Sequence, residues 1–313
     1  MPLLKVDHLT KRYNTGFWPF TAPQIYTAVD GISFYLDKGE ILGFLGSNGA
    51  GKTTTIQMLL GTLTPTSGTI FYFDRDFQHN RISLLKRIGY ASGYDRLPAK
   101  LTICENLHMV GRIYSLSKSK RDYQIEKLLK VFGMWEMKDR QVGTLSAGQV
   151  TRVMLAKAFM ADPEIVLLDE PTASLDPDIA NEVHTFILAQ RTERTISLLI
   201  TSHNMEEVTK LCDRVLVLKK GVLIADSTPE QLARSTSKVH VHLTFMKDLE
   251  HVRSFISSQG CSYTLQGKEL TIEIDEYHIA QLLADLGKHQ LIYSQIAINK
   301  PTLEDYFLSI AKH

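Results

Sequence analysis

Apolar positions along this chain fall into two alternating kinds of stretch. Short runs such as "EILGFLG" (Glu40 to Gly46), "EIVLLDEP" (Glu164 to Pro171) and "ISLLITSH" (Ile196 to His203) are continuously apolar and stop abruptly at polar residues. That is the pattern of strands buried on both faces of a sheet. Longer stretches with helical spacing lie between them, beginning with "KTTTIQMLLG" directly after the first run. From Leu3 to about Asp226 the two kinds alternate, which predicts an α/β domain with a largely parallel sheet. Between Leu101 and about Val142 the strand patterns stop. There "TICENLHMVGRIYSL" and "RDYQIEKLLKVFGM" predict two or three consecutive helices, a helical subdomain over about residues 101–150.

After "GVLIADSTPEQL" the pattern changes. "VHVHLTF" (Val239 to Phe245) alternates strictly, and "LEHVRSFI" carries Leu249, Val252, Phe255 and Ile256 at helical spacing. "YTLQGKELTIEID" reads as a hairpin turning at Gln266 to Glu269, and "YHIAQLLADLG" and "LIYSQIAIN" add a helix and a strand. The order is β-α-β-β-α-β, the ferredoxin-like arrangement, so residues 229–313 are expected to form a small α+β domain beside a larger one over 1–228. A length of 313 residues agrees with two domains. His240 and His242 share one strand face, but with no carboxylate or Cys cluster nearby they read as a solvent-facing strand edge rather than as metal ligands. The small domain announces no chemistry, and a regulatory or dimerising role is expected of it.

Charge narrows the partners. Lys and Arg (35) nearly balance Asp and Glu (34), so no overall basic field argues for nucleic acid. Cys104, Cys212 and Cys261 lie far apart without metal-type spacing, which predicts reduced thiols in a cytosolic protein. No apolar run approaches the ~18 residues of a membrane span, and "MPLLKVDHLT" lacks the order of a signal peptide.

The chemistry is concentrated in "LGSNGAGKTTT" (Leu45 to Thr55). Gly46, four residues, then Gly51, Lys52 and Thr53 is the spacing of a phosphate-binding loop, in which glycines let successive backbone N–H groups turn inward around phosphate oxygens. Ser47, Asn48, Gly49, Ala50 and Thr54 complete that cradle. Lys52 is expected on the β/γ oxygens of ATP and the Thr53 hydroxyl on Mg²⁺, with the helix that follows presenting its positive end. "EIVLLDEP" ends in two carboxylates at a strand's carboxyl end. There Asp169 suits the metal and Glu170 the polarisation of an attacking water. His203, at the end of another such run, could donate to the γ-phosphate.

The run "TLSAGQVTRVMLAKAFMADPEIVLLDEPTASLDP" resembles the nucleotide-binding subunits of ABC transporters, and the likeness covers about Leu3 to Asp226. The resemblance implies a P-loop NTPase core of the ABC type. It makes Leu145 to Gln149 the signature, with Ser146, Ala147, Gly148 and Gln149 as nucleotide contacts, Asp169 and Glu170 part of Walker B, Ser174 to Asp176 the D-loop and His203 the switch histidine. It also implies a head-to-tail dimer, of two copies or with a paired ABC ATPase, in which the signature of one subunit caps ATP on the phosphate loop of the other. Ser146 and Gly148 precede the helix "VTRVMLAKAF", whose N-terminal N–H groups suit a γ-phosphate.

The sequence departs from the family pattern in three places. Ala147 replaces the commoner signature glycine, tolerable where φ is negative. The adenine-stacking aromatic has Tyr13, Trp18 and Tyr26 as candidates, of which Tyr13 is the one expected at the site. The glutamine that relatives place in "RIGYASGYDRLPAKLTICENL" is missing. Gly93 stands in its position, with Tyr94 and Asp95 as the nearby side chains able to reach the metal shell.

The function implied is the ATP-hydrolysing motor of an ABC transporter, cytoplasmic and peripheral on the inner face of the cell membrane, driving a separately encoded integral membrane permease. "PTLEDYFLSIAKH" resembles the end of exporter ATPases of the drug, lipid and polysaccharide type. Soluble ABC ATPases of translation and repair fit less well. The former usually join two cassettes, and the latter carry long coiled coils between loop and signature. A nucleotide-binding regulator of low turnover would share most of the same residues.

Overall fold

In the computed structural model the three continuously apolar runs lie side by side as parallel strands. They are β3 (Ile41–Leu45), β8 (Ser197–Ser202) and β7 (Ile165–Asp169), and every residue in them is buried. The structure describes residues 2–14, 25–92, 97–235, 238–247, 249–258 and 261–311. β6 (Ile88–Ser92) pairs in parallel with β7 on one side, and β9 (Arg214–Lys219) with β3 on the other. β10 (Val222–Ser227) closes the edge antiparallel, giving the order β10-β9-β3-β8-β7-β6. In this register Leu45 lies opposite Ser202, and Asp169 opposite Thr201. The segments starting at Gly46, Glu170 and His203 therefore all leave the sheet at its carboxyl edge, where open α/β sheets place their ligands.

The expectation of a largely parallel sheet describes only this layer. A second, antiparallel sheet in the order β2-β1-β4-β5 is built from β1 (Leu4–Asn14), β2 (Ile25–Leu36), β4 (Ser67–Tyr72) and β5 (Arg75–Asp76). Its strands bury one face only, and register shifts interrupt β1 against β2, so their alternation is broken along the sequence. α1 (Lys52–Leu59) contributes Ile56, Met58 and Leu59 to a core cluster that also holds Leu4, Val6 and Leu9 of β1 and Leu42 and Phe44 of β3. The helix leaving the phosphate loop is thus gripped by both sheets. α2 (Phe77–Leu85) packs on β4 and β6.

The helical subdomain holds α3 (Ile103–Ile113), α4 (Lys118–Val131) and α5 (Ala147–Phe159), which pack on one another, and α5 also packs on β6. α3 and α5 each begin with a capping box, Thr102 with Glu105 and Ser146 with Gln149, so both starts are fixed by local hydrogen bonds. α6 (Pro177–Arg194) follows β7, and α7 (Met205–Leu211) follows β8.

The chain divides into two compact units, Met1–Thr228 and Pro229–His313. In the second, β11 (Lys238–Phe245), α9 (Leu249–Ser258), β12 (Ser262–Gln266), β13 (Glu269–Asp275), α10 (Ile279–Lys288) and β14 (Tyr293–Asn299) follow in the ferredoxin-like order. The strands form an antiparallel sheet β12-β13-β11-β14. Val239, Val241, Leu243 and Phe245 of β11 pack with Val252 and Ile256 of α9 and Leu282 and Leu286 of α10 into a core of their own. Two further helices, α8 (Pro229–Ser235) and α11 (Leu303–Ala311), pack against each other. His240 Nε2 lies 3.3 Å from Asp305 Oδ1 of α11, and His242 Nδ1 lies 2.9 Å from Thr271 Oγ1. Among the described residues no group of three or more His, Cys, Asp or Glu is arranged to hold a metal, and no helix is long and apolar enough to cross a membrane.

Candidate functional site

The loop between β3 and α1 is shaped by contacts with its own chain. Gly51 has φ +107, and a Cβ on it would lie 2.6 Å from the Ala28 carbonyl oxygen of β2. A Cβ on Gly46 would lie 2.5 Å from the Leu218 carbonyl oxygen of β9. Both glycines are therefore demanded by neighbouring backbone as well as by phosphate. The Ala50 N–H donates to the Ser47 carbonyl at 3.1 Å, closing the turn. Lys52 is buried, and its Nζ donates to the carbonyls of Gly46 at 2.6 Å and Ser47 at 3.4 Å. Burial pushes this ammonium below the ordinary lysine range, while the charges of Glu170 and Asp169 pull it back up. Phosphate oxygens beside it would strengthen the charged form further.

Asp169 ends β7 and is 1% exposed. Its Oδ2 accepts from the Thr53 hydroxyl at 3.2 Å, and its Oδ1 accepts from the Thr201 hydroxyl. Thr53 and Asp169 are hard oxygen donors meeting at one point, which fits the one or two protein ligands that Mg²⁺ takes beside nucleotide phosphates. The next residue, Glu170, has φ +55, a left-handed conformation costing a non-glycine residue about 1–2 kcal/mol. Two hydrogen bonds hold it there: its N–H reaches the Thr201 carbonyl and the Thr201 hydroxyl, each at 3.1 Å. The turned backbone directs the side chain to His203, whose Nδ1 lies 2.5 Å from Glu170 Oε2. The His203 side chain is 66% exposed and that of Glu170 14%. Thr201 thus fixes the Asp169 carboxylate and the Glu170 backbone, a role with no local motif in the sequence. Its signal was a hydroxyl pair, Thr201 and Ser202, at the end of a strand buried on both faces.

A cleft over the loop is lined by Ser47 to Thr54 together with Tyr13, Tyr26, Ala28 and Glu170. Tyr13 and Tyr26 are register partners across β1 and β2, and their rings stack at 6.5 Å between centroids. Two of the three aromatic candidates therefore sit together at the cleft, while Trp18 lies outside the described residues. So do Gly93, Tyr94 and Asp95, at the position of the missing glutamine.

The signature residues are placed elsewhere. Ser146 caps α5, its hydroxyl accepting from the Gln149 N–H at 3.3 Å while Gln149 Oε1 accepts from the Ser146 N–H at 3.0 Å. Ala147 opens the helix without a positive φ. Gly148 packs close to the D-loop, where a Cβ would lie 3.2 Å from the Ser174 carbonyl oxygen. Asp176 caps α6 by backbone alone and is exposed. None of Ser146 to Gln149 lines the cleft over the phosphate loop.

A family model described as ABC transporter matches residues 29–173. The bacitracin transport ATP-binding protein BcrA of Bacillus licheniformis is 31% identical over 321 aligned positions, spanning 98% of this chain and 97% of that protein. The Nod factor export ATP-binding protein I of Cupriavidus metallidurans is 32% identical, spanning 91% of this chain and 92% of that protein. Among solved structures, a dimeric ATP-binding cassette in a post-hydrolysis state bound to ADP and Pi shares the fold, with a TM-score of 0.65 at 21% identity over 72% of this chain and 98% of that one. Relatives matched along nearly their whole length place the chain in the ABC transporter family, among its ATP-binding, ATP-hydrolysing subunits.

Proposed function

We propose that the chain powers an exporter by an ATP-driven cycle of dimer closure and reopening, coupled to an integral membrane permease on a separate polypeptide. The observation that carries this reading is the separation of the two halves of the nucleotide site. The cleft over the phosphate loop contains Lys52, Thr53 and Glu170 but none of Ser146 to Gln149. The capped start of α5 does not line that cleft, so it falls to a second copy, or a paired ABC ATPase, to bring such N–H groups to a γ-phosphate held on the loop.

Within each site the loop N–H groups and Lys52 bind the phosphates, and Tyr13 with Tyr26 offers a face to adenine. Glu170, held in its strained backbone, accepts a proton from the attacking water, and His203 keeps that carboxylate aimed. Thr53 and Asp169 would hold Mg²⁺, which supplies positive charge to the β- and γ-phosphate oxygens when bound. Hydrolysis rests on positioning and charge stabilisation without a covalent intermediate. Export as the direction follows the name of one relative, a Nod factor export ATP-binding protein. Attachment to the cytoplasmic face of the membrane follows from a permease partner.

Glu170→Gln tests the reading. The amide keeps the shape and removes the base, so hydrolysis should fall about a hundredfold or more with ATP binding retained. Size analysis should show a dimer in ATP and not in ADP. A variant that stays monomeric in ATP while hydrolysing normally would refute both the dimer and the role of Glu170. Affinity capture of the chain from solubilised membranes should bring an integral membrane protein with it, and recovery of none would count against the permease.

A further inference from the structure

Three side chains from three separate segments converge on one buried carboxylate. Glu207, in α7, is 3% exposed. Its Oε1 accepts from the Thr172 hydroxyl at 2.7 Å and lies 3.1 Å from His184 Nε2. Its Oε2 accepts from the Ser202 hydroxyl at 2.5 Å. None of the four residues lines the cleft over the phosphate loop. Their places in the chain are nevertheless specific: Thr172 is two residues after Glu170, Ser202 immediately precedes His203, and His184 lies in α6, the helix that starts at the D-loop.

A carboxylate removed from water is costly unless several donors satisfy it. Burial works to raise the pKa of Glu207, and the hydrogen bonds from His184, Ser202 and Thr172 outweigh it and keep the group ionised. Because the carboxylate can only accept, Nε2 is the donating nitrogen of His184. His184 Nδ1 is buried and has no hydrogen-bond partner among the described residues, so Glu207 supplies the one hydrogen bond found for that ring among them. Hydrogen bonds to a charged acceptor are shorter and stronger than those between neutral groups. Besides the Glu170 N–H bonds to Thr201, side chains join the segments after β7 and at the end of β8 at two places. The outer joint, between Glu170 and the largely exposed His203, is the catalytic one; the inner joint is Glu207 with Thr172 and Ser202.

We propose that Glu207 is a positioning residue for ATP hydrolysis, which sets the spacing of Glu170 and His203 through Thr172 and Ser202 and ties that spacing to the D-loop helix through His184. The inference rests on Glu170 and His203 being the catalytic pair. Glu207→Gln is nearly isosteric, and both hydroxyls can rotate to meet an amide, but the charge that fixes the three donors is gone. Its kcat for ATP should fall about tenfold or more, as expected for sub-ångström misplacement of reacting groups, with KM for ATP within about twofold. Ser202→Ala removes one donor and leaves the carboxylate two, so it keeps the test available should Glu207→Gln not fold, and kcat should fall in the same direction. Glu206→Gln, an exposed neighbour in the same helical turn, is the control for charge alone and should leave kcat within about twofold. Glu170→Gln is measured alongside. If it turns over normally, the catalytic reading itself fails. If it is inactive while Glu207→Gln and Ser202→Ala are folded and keep kcat within about twofold of the parent, Glu207 is only a structural buttress and the proposal is overturned.

Discussion

At the scale of single residues, the two oxygens of Asp169 are held to different tasks. Oδ1 is occupied by the Thr201 hydroxyl, which leaves Oδ2 to the Thr53 hydroxyl at 3.2 Å and to the metal that both would bind. The Thr201 hydroxyl also accepts from the Glu170 N–H at 3.1 Å, so one hydroxyl sets the orientation of the metal carboxylate and the backbone of the base. Thr201→Val keeps the shape and removes both contacts, leaving a buried carboxylate oxygen without that donor. It should destabilise the fold by about 1–3 kcal/mol. Hydrolysis should fall about tenfold, with a higher Mg²⁺ concentration needed for half-maximal rate, while ATP affinity measured without hydrolysis stays within about threefold. Thermal unfolding and a Mg²⁺ titration of the rate check this, and a valine variant with unchanged Mg²⁺ dependence would separate Thr201 from the metal site.

At the scale of elements, the parts of the site that can be read from sequence are those made by contiguous backbone. A phosphate cradle needs successive N–H groups, so Gly46 to Thr53 betray it locally. The helix after the signature is legible too, but its start is not, because the Ser146–Gln149 capping box begins α5 at Ala147 and takes in Gly148, which the sequence reading sets before the helix. What stayed hidden is assembled across distance. Thr201 acts on the Asp169 carboxylate of the neighbouring strand and on the Glu170 N–H that follows it, and Glu207 gathers donors from segments that share no local pattern. The antiparallel sheet was hidden too, because bulged, half-buried strands such as β1 carry a broken alternation that periodicity does not resolve. The glycines of the loop show local and distant demands at once. Gly49 has φ +79 with nothing within 4 Å of a Cβ, whereas Gly51 combines φ +107 with the Ala28 carbonyl 2.6 Å away. Gly49→Ala should therefore cost the ligand-free protein only about 1 kcal/mol, through backbone strain. Gly51→Ala should cost about 3 kcal/mol or more, because α1 must shift away from β2. Unfolding measured without nucleotide distinguishes the two. Equal losses would mean that the loop does not depend on its contact with the antiparallel sheet.

At the scale of the whole molecule, the two cores share no residue. One joins α1 to both sheets of Met1–Thr228, and the other is closed by β11, α9 and α10 within Pro229–His313. Every residue assigned here to phosphate, metal, water or signature lies in the first unit. A chain ending at Thr228 should then fold, bind ATP with an affinity within about threefold of the full chain, and retain the loss of hydrolysis on Glu170→Gln, since domains with their own cores fold alone. The second unit carries none of the hydrolytic residues, so its removal should appear in a different measurement: a weaker ATP-dependent dimer of the Glu170→Gln variant, or a rate that no longer responds to the permease. Sedimentation of the truncated and full-length Glu170→Gln chains in ATP reads the first, and ATPase rates of both chains with and without the captured permease read the second. If the truncated chain is folded yet matches the full chain in both, the second unit has neither a dimerising nor a regulatory role. An insoluble truncated chain, or one that no longer binds ATP, would instead show that the separate cores do not confer separate folding.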